Sequence, residues 1–426
     1  MKRVVITGIG VISPIGCGKE NFTNALKAGR SGIKHIPELQ TLNFSCQVGG
    51  IPDYCNSSFL EILSRYNLSD ASTTIIYGCL AGIEAWLDAG LYIPDFITSS
   101  PDPDTGISIG SGIGSLDIMT NKIIPLVNEG KHKKIRSSNI EQLLFNATGA
   151  FLSGILGTGN IATSNSNACA TGTEAIINGF NHIRHGKAKR IIAGSTEGYS
   201  PYYWATFDAL RVTATQFNDT PEKASRPMST TACGMVPAAG AGILILEELE
   251  TAIKRNAAIY AEIAGGFLNC GSQRDGGSMT APNPDGVKKC ITEALSDANV
   301  FPEQIDSISG HLTSTMADVL EVQNWAEILK RNKNDFPYIN SLKSMTGHCL
   351  GAAGAIEIIA SALEIKHQFI YPSINCENIH PEILKFIEPS KIPQQLKDKT
   401  TINYLAKTSF GFGDSNACII LKKFNT

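Results

Sequence analysis

The sequence predicts an α/β protein with largely parallel or mixed sheets, and three observations carry that prediction. Short apolar runs alternate with longer segments of helical periodicity along the 426 residues, a pattern typical of α/β architecture. The apolar runs are continuous rather than alternating, as expected of strands that are covered on both faces. The 40 glycines cluster in short loops, which indicates many tight turns between strands and helices.

Eight apolar segments are predicted strands. They span 2–10, 105–114, 189–195, 241–248, 258–266, 307–311, 338–343 and 416–424. The first segment follows a short basic start and superficially resembles a signal peptide. Because no A-x-A cleavage site follows it, and because Gly and Pro interrupt its apolar run, we expect a buried first strand instead.

Three further segments have helical patterns, and they span 171–186, 285–300 and 354–367. The first helix is expected to end at Gly186, and the second to begin at Asp285 as its N-cap. The strand 241–248 closes a first half of the chain. We therefore expect two similarly sized α/β units, 1–250 and 251–426, although no clear sequence repeat relates them.

Composition excludes several classes of protein. Lys and Arg number 36 against 39 Asp and Glu, so the formal net charge is −3, which argues against a basic nucleic-acid binder. No apolar run reaches 18 residues, so no transmembrane helix is expected. The 11 cysteines are irregularly spaced without a C-x-x-C pair, which argues against a zinc ribbon or a disulfide scaffold. We expect a soluble, cytoplasmic protein that needs no metal.

Cys169 is the first candidate for chemistry. It lies in SNSNACATGTEAI (164–176), among small residues and directly before a helical pattern. A Cys at a helix N-terminus is close to the positive end of the helix dipole, which is expected to lower its pKa. A nucleophile is therefore one interpretation, and a buried packing Cys is the other.

Two more segments contain histidines. In SGHLTSTM (309–316), His311 is followed by a hydroxyl-rich loop, although an isolated His in such a place is more often structural. In LKSMTGHCLGAAGAIE (342–357), Lys343 and His348 flank a turn. A Lys close to a His is costly without a compensating acid, and Glu357 is the candidate.

The segment TSFGFGDSNA (408–417) places two glycines around Phe412. Such a loop can present a backbone N–H to a ligand, but alone it is equally well a tight turn.

Taken together, these segments resemble the β-ketoacyl-acyl carrier protein synthases, and the match is to the elongating type II enzymes. The order and approximate spacing of the motifs agree over almost the whole chain, from VVITGIGVISPIG through GSGIGSL, AGSTEG, SRPM, GAGILILEELE and MTAPNPDG to the C-terminus. The resemblance implies a thiolase-like fold of two similar halves in five layers, α-β-α-β-α, usually as a homodimer. It implies an acyltransferase that extends an acyl chain by two carbons.

The resemblance also implies roles for individual residues. Cys169 would accept the acyl chain as a thioester, and His311 and His348 would hold the enolate formed when malonyl-acyl carrier protein loses CO₂. Lys343 and Glu357 would organise the site electrostatically. Phe412 would gate the acyl pocket, and its N–H would form the oxyanion hole with that of Cys169. The expected substrate-binding residues are Ile113 for the acyl chain, and Thr280, Thr313 and Thr315 for the phosphopantetheine arm. No cofactor is expected, because phosphopantetheine arrives on the carrier protein.

The sequence departs from the family pattern at several positions. Leu312 and Met316 replace the Gly and Pro of H-G-T-S-T-P, and Asp318 comes one residue early. In the family's R-D-G-F-V-x-G-E-G-A-G motif, which reads ACGMVPAAGAG here (232–242), the Arg, Asp and buried Glu are replaced by Ala232, Cys233 and Ala239. Asp414 stands where Gly is usual. We expect Asp414 to place a charge beside the Phe412 gate, and the lost buried acid to require new hydrogen bonding.

Other functions remain in view. A specialised polyketide or aryl polyene ketosynthase, working with a chain-length-factor-like partner in a heterodimer, is the alternative to fatty-acid elongation. A non-catalytic partner subunit is disfavoured by Cys169. A type III synthase carries Asn where His348 stands, and a degradative thiolase carries a second Cys near the C-terminus. The sequence indicates neither the acyl chain length nor the carrier protein.

Overall fold

The computed structural model describes residues 1–95 and 97–425, and that part of the chain contains thirteen strands and sixteen helices. The strands are β1 Val4–Ser13, β2 Gly16–Cys17, β3 Lys34–His35, β4 Val48–Gly49, β5 Thr105–Gly110, β6 Ala162–Thr163, β7 Arg190–Glu197, β8 Gly240–Glu248, β9 Ala261–Cys270, β10 Ser307–Ser309, β11 Tyr338–Asn340, β12 Tyr404–Gly411 and β13 Ser415–Lys422. The helices are α1 Lys19–Ala28, α2 Pro37–Thr41, α3 Ser57–Arg65, α4 Thr73–Asp88, α5 Leu116–Ile118, α6 Ile124–Asn128, α7 Ser137–Leu143, α8 Ala147–Leu156, α9 Thr171–Arg184, α10 Pro201–Ala209, α11 Leu249–Lys254, α12 Pro284–Ala298, α13 Ala317–Leu329, α14 Lys343–Thr346, α15 Ala353–His367 and α16 Pro381–Leu384.

The strands form two five-stranded groups that meet at β1. The hydrogen-bonded order is β11-β10-β12-β13-β9-β1-β8-β7-β5-β6, with β2 beside β1. β1 pairs with β8 along most of its length but with β9 only at Val4–Ile6. Within the first group β5 and β7 are parallel, whereas β7 and β8 are antiparallel. The prediction of mixed sheets is therefore confirmed.

Two helices lie between the strand groups and make the middle of five layers. α9 contacts β5, β7 and β8 on one side and β9, β12 and β13 on the other, and α15 likewise contacts strands of both groups. α4 and α8 cover the outer face of the first group, and α12, with α13 packed against it, covers the second. The expected α-β-α-β-α layering is confirmed, and both faces of each strand group are covered.

The two central helices cross with their backbones close together because glycines face the crossing. A Cβ added at Gly172 would lie 2.7 Å from the backbone nitrogen of Ala355, and one at Gly354 would lie 2.4 Å from Thr173 Oγ1. Both distances are far below van der Waals contact. The start of α9 is thereby held against the start of α15.

Several predicted elements are confirmed and others are corrected. β1 is buried at every position, as expected of a covered first strand. The predicted helices 171–186, 285–300 and 354–367 match α9, α12 and α15 closely, and Gly186 has a left-handed φ of 73° just after α9. Asp285 is not the N-cap of α12, because the Asn283 side chain accepts the first free N–H groups.

Two segments differ in type from the sequence prediction. Lys343 was expected at the end of a strand, but the strand stops at Asn340 and Lys343 begins α14. No strand was predicted before the G-F-G loop around Phe412, but β12 runs up to Gly411 and pairs with β13, so Phe412 lies in the turn of a hairpin. The glycines on both sides of Phe412 favoured a loop over a strand in that prediction. Among residues 1–95 and 97–425, no helix has both the length and the apolar character needed to cross a membrane.

Candidate active site

Cys169 lies in a tight turn immediately before α9. Ala168 has a left-handed φ of 45°, and the Ala170 N–H donates to Asn167 O at 3.0 Å. This turn aims the thiol at the cavity, where Sγ lies 3.1 Å from His348 Nε2. A thiol and an imidazole at this distance are in hydrogen-bond contact.

His348 is held in one orientation by its backbone neighbours. Its N–H donates to Val236 O at 2.7 Å, and its C=O accepts from the Ala238 N–H at 2.9 Å. The Leu350 N–H donates to His348 Nδ1 at 3.2 Å. Because Nδ1 accepts, the neutral ring carries its proton on Nε2, the nitrogen that faces Cys169.

His311 follows β10 and is positioned through its backbone. Its N–H donates to Glu321 Oε1 at 2.7 Å, and the Leu312 N–H donates to Glu321 Oε2 at 2.8 Å. The His311 and His348 rings meet edge to face with centroids 5.4 Å apart. One donor atom each from Cys169, His311 and His348 lie within 4.8 Å of one another. Thiolate and imidazole are ligands that a soft divalent cation prefers. In this structure the Cys169 sulfur and the His348 Nε2 are already joined by a hydrogen bond.

Both imidazoles are neutral at physiological pH. Burial lowers the pKa of His311 and of His348 well below 6.5, and the nearby charge of Lys343 acts in the same direction. A neutral imidazole donates one N–H and does not carry a charge of its own. The pair is therefore suited to stabilising a developing negative charge between them.

The expectation of a lowered pKa for Cys169 is wrong. Burial raises the pKa of the Cys169 thiol to about 12, and the positive charge of Lys343 offsets this only in part. Desolvation disfavours the thiolate more than the helix start favours it. Cys169 therefore rests as a thiol, and the charge of Lys343 and the Nε2–H of His348 are the nearby groups that favour its thiolate.

A buried cluster of three charges lies behind the histidines. Lys343 Nζ is 2.5 Å from Glu357 Oε1, and Lys407 Nζ is 2.9 Å from Glu357 Oε2. All three side chains are buried. The predicted Lys343–Glu357 contact is present, whereas Lys407 was missed by sequence reasoning. A Lys in the middle of the apolar run 404–411 was the signal that could have found it.

A cavity of about 470 Å³ opens onto Cys169 and both histidines. Its lining includes the predicted residues Cys169, His311, His348, Phe412, Thr280, Thr313 and Thr315. The Thr313 and Thr315 hydroxyls are 3.0 Å apart. Ile113 does not line this cavity in the described part of the chain, and its N–H donates to Glu197 instead. The acyl-binding role of Ile113 therefore stays a prediction.

The Phe412 loop lies directly against the nucleophile turn. A Cβ added at Gly411 would lie 2.8 Å from the backbone oxygen of Asn167 and 3.3 Å from the Cys169 nitrogen, so glycine allows this close approach. The Phe412 ring lines the cavity, 6.2 Å from the Phe207 ring. Among the described residues, neither the Cys169 N–H nor the Phe412 N–H donates a hydrogen bond. Both donors remain available for an oxyanion.

Two expectations about departures from the family pattern are corrected. Asp414 does not face the cavity, because its buried carboxylate accepts the N–H groups of Gln273 and Asn283, each at 2.8 Å. Ala239 belongs to a buried apolar cluster, and its hydrogen bonds there are backbone ones, from its N–H to Gly50 O and from Cys349 Sγ to its C=O. Cys233, by contrast, lines the cavity and is half-buried.

Comparison with known proteins assigns the chain to a family. The family models "Beta-ketoacyl synthase, N-terminal domain" and "Beta-ketoacyl synthase, C-terminal domain" match residues 1–252 and 260–377. The chain is 35% identical over 426 residues to 3-oxoacyl-[acyl-carrier-protein] synthase 2 of Vibrio harveyi, covering 99% of each chain.

Solved structures give the same result. The ishigamide ketosynthase/chain length factor is 29% identical with a TM-score of 0.87, and it is covered over 100% of both chains. A ketosynthase bound to a type II polyketide acyl-carrier protein is 29% identical with a TM-score of 0.86, again over 100% of both chains. The layered fold, the thiol paired with a histidine and these full-length matches lead to one conclusion: the chain belongs to the β-ketoacyl synthase family.

Proposed function

We propose that the chain is a β-ketoacyl-acyl carrier protein synthase that condenses an acyl group on Cys169 with malonyl-acyl carrier protein. The observation that carries the proposal is the 3.1 Å contact between Cys169 Sγ and His348 Nε2, with His311 beside it. A soft nucleophile next to two neutral imidazole N–H donors matches the needs of thioester exchange followed by decarboxylation.

In the first half-reaction Cys169 attacks the thioester carbonyl of an acyl-carrier protein. As the Cys169 sulfur attacks, its proton passes to the departing pantetheine thiolate, so the acyl group moves from one sulfur to another. The free N–H groups of Cys169 and Phe412 receive the carbonyl oxygen as it becomes an oxyanion. Because the pKa of Cys169 is high, its proton leaves only as the new C–S bond forms, and the Nε2–H of His348 stabilises the charge on the sulfur by donating to it.

In the second half-reaction the malonyl group loses CO₂, and the electrons of the broken C–C bond form an enolate. His311 and His348 donate hydrogen bonds to its oxygen. The enolate carbon then attacks the acyl carbonyl on Cys169, which forms the new C–C bond and releases the Cys169 thiolate. A proton returns to the thiolate, and the chain is two carbons longer.

The buried charges support this centre without touching the reacting atoms. Glu357 bridges Lys343 and Lys407, so two ammonium groups lie near the site with one carboxylate between them. Their net positive field favours the thiolate and enolate over the neutral states. No cofactor enters the scheme, because the pantetheine arm is delivered by the carrier protein. Thr313, Thr315 and Thr280 at the cavity wall are the proposed contacts for that arm.

The partner and the compartment are also proposals. We infer a dimer, either of two copies or with a second ketosynthase-like chain, because the edge strand β6 is exposed at both residues next to exposed Ile161. An unpaired edge beside apolar side chains is a natural pairing surface. All eleven cysteines are free, which supports a reducing, cytoplasmic compartment. We keep the division into units 1–250 and 251–426 as part of this proposal.

A specialised polyketide or aryl polyene ketosynthase is the second candidate. One structural relative is a ketosynthase in complex with a type II polyketide acyl-carrier protein, and the other is a ketosynthase/chain length factor. Met316 and Leu320 line the cavity and are strongly exposed. They add apolar surface to a wall that also carries the hydroxyls of Thr313 and Thr315. Fatty-acid elongation is favoured in turn by the identity to 3-oxoacyl-acyl carrier protein synthases.

The deciding experiment is intact-mass analysis of the protein after incubation with a series of acyl-carrier proteins, followed by malonyl-carrier protein. We expect acylation of Cys169 and a product two carbons longer. Saturated chains turning over without any partner subunit would support fatty-acid elongation. Turnover only of polyenoyl or aryl chains, with a partner subunit present, would support the second candidate. Absence of acylation with every chain would refute both.

A further inference from the structure

Glu197, at the end of β7, is a buried acid that the mechanism above does not use. Its side chain has no exposed surface. Among the described residues, no Lys or Arg lies within ion-pair distance of its carboxylate. Such a group is costly to bury unless hydrogen bonds satisfy it. Desolvation by burial raises the pKa of Glu197 to about 7, although the hydrogen bonds described next act to lower it.

Four donors from two separate chain segments converge on this carboxylate. The loop after β5 supplies the Gly112 N–H at 2.9 Å, the Ile113 N–H at 3.3 Å and the Ser111 hydroxyl at 3.3 Å. The turn after His348 supplies the Gly351 N–H at 3.1 Å. The carboxylate therefore joins the loop 111–113 to the turn 349–351.

The two glycines at this contact leave room for the carboxylate and for little else. A Cβ added at Gly112 would lie 2.5 Å from Glu197 Oε2, and a Cβ at Gly351 would also lie 2.5 Å from that atom. Both segments thus approach Glu197 more closely than any residue with a side chain permits. This matching of two glycines to one acid is a built contact rather than incidental packing.

The turn whose Gly351 N–H donates to Glu197 also orients His348. The Leu350 N–H donates to His348 Nδ1 and so leaves the proton on Nε2, facing Cys169. Leu350 has a left-handed φ of 50°, which is unfavourable for a residue with a branched side chain. A conformation of this kind persists only when its surroundings hold it. The bond from Gly351, the next residue, is such a restraint.

We propose that Glu197 is a positioning residue that clamps the Leu350–Gly351 turn to the loop 111–113, and thereby keeps His348 Nε2 in contact with the Cys169 thiol. Glu197 touches neither substrate nor the reacting atoms. It acts through the backbone turn that fixes the ring of His348. The idea rests on the proposed function only for acyl loading, since the state of the Cys169–His348 pair can be measured without any carrier protein.

The test is the rate at which iodoacetamide alkylates Cys169 at pH 8, resolved from other cysteines by peptide mass spectrometry. Glu197→Gln keeps the shape but replaces one acceptor oxygen by an NH₂ group that faces N–H donors. Removing a hydrogen bond to a charged group is worth about a tenfold change, so we expect Cys169 to react roughly tenfold more slowly. In acyl loading, kcat should fall similarly while KM changes by less than about twofold, because no cavity residue is altered.

Glu364→Gln is the matched control. Glu364 is equally buried and accepts a hydrogen bond from Asn340 at 2.9 Å, but it contacts neither His348 nor the loop 111–113. This variant should leave the alkylation rate of Cys169 within about twofold of the wild-type rate. A merely structural role for Glu197 predicts that both variants change thermal stability and that neither changes the Cys169 rate.

Ser111→Ala keeps the proposal testable if Glu197→Gln does not fold. It removes one donor, the hydroxyl that lies 3.3 Å from Glu197 Oε1, and should slow Cys169 by a smaller factor, about two- to threefold. A folded Glu197→Gln, or a folded Ser111→Ala where it alone folds, with wild-type alkylation of Cys169 would overturn the proposal. Failure of the wild-type protein to load any acyl chain would count against the proposed function and leave the alkylation comparison valid.

Discussion

At the scale of single residues, the site depends on a thiol that cannot ionise unaided. Cys169 has a pKa raised to about 12 by burial, and the Nε2–H of His348 at 3.1 Å is the hydrogen-bond donor to its sulfur. His311 completes the centre, with a ring nitrogen within 4.8 Å of the Cys169 sulfur and of a His348 nitrogen. The reactivity of Cys169 therefore follows from its neighbours rather than from its position before a helix.

Replacement of the nucleophile is the first prediction. Cys169→Ala should abolish acyl loading while the protein still folds, because a half-buried thiol facing a cavity contributes little packing. The measurement is acyl-carrier labelling followed by peptide mapping. Cys233→Ala is the control, since Cys233 is also half-buried and lines the same cavity. Label on Cys233, or condensation by the Cys169→Ala protein, would contradict the assignment.

The histidines should separate the two half-reactions. In His311→Ala, CO₂ release from malonyl-carrier protein should fall by about 10²–10³, as for loss of one oxyanion donor, while loading of Cys169 continues. In His348→Ala CO₂ release should fall similarly because the other enolate donor is lost, and loading of Cys169 should slow less because only the hydrogen bond to its sulfur is removed. The two steps are assayed separately as acyl-enzyme mass and as released CO₂. Wild-type CO₂ release by either variant would show that its His does not hold the enolate.

At the scale of elements, the site exists because α9 and α15 are pressed together. The nucleophile turn precedes α9, and the turn that orients His348 precedes α15, so the spacing of these helices sets the spacing of Cys169 and His348. Glycines at the crossing allow this approach. The element that positions the chemistry is thus a helix pair, with each strand group acting as its support.

Gly354→Ala tests this spacing. The added methyl would lie 2.4 Å from Thr173 Oγ1 and 2.9 Å from the Thr173 nitrogen, and overpacking of this kind costs about 1–3 kcal/mol in the free energy of unfolding. We expect lower stability in denaturant and slower alkylation of Cys169. Gly154→Ala is the control, because it lies in α8 with open space around the new methyl and should be neutral or stabilising. Equal stability of the two variants would rule out a tight crossing.

At the scale of the whole molecule, buried acids make stability depend on pH. Burial raises the pKa of Glu364 to about 8 and of Asp318 to about 7. In the folded state these groups stay protonated at pH values where the unfolded chain has already lost those protons. The folded state then binds more protons, so each acid lowers stability as the pH rises from its unfolded pKa to its folded pKa. The neutral histidines act oppositely below about pH 6.5.

Glu364→Gln isolates one of these contributions. Gln resembles the protonated acid, so the variant lacks the penalty that Glu364 gains between about pH 4.5 and 8. The free energy of unfolding, measured in urea at pH 5, 6, 7 and 8, should decline less steeply in the variant, by up to about 1.4 kcal/mol per pH unit. Parallel pH profiles for the two proteins would show that Glu364 is ionised in the folded state.

The sequence by itself determined the fold class, and it pointed to Cys169, both histidines and the Lys343–Glu357 pair, which the structure brings together. Continuous apolar runs and helical periodicity are local signals, and the motifs around Cys169, His311 and His348 are short and keep their order. Predicted helices matched α9, α12 and α15 for the same reason. The strand β12 was not predicted, because Gly411 at its end and Gly413 just after it are typical of a loop.

The tertiary structure alone decided the features that depend on contacts between distant segments. Asp414 was expected at the gate, but its carboxylate meets Gln273 and Asn283, more than 100 positions away. The pKa of Cys169 depends on burial that no neighbouring residue in the sequence reveals. Lys407 meets Glu357, and Glu197 meets Gly351, only when the strand groups close on α9 and α15. Desolvation and long-range hydrogen bonds arise from that closure, because local sequence specifies an element but not the environment that packing gives it.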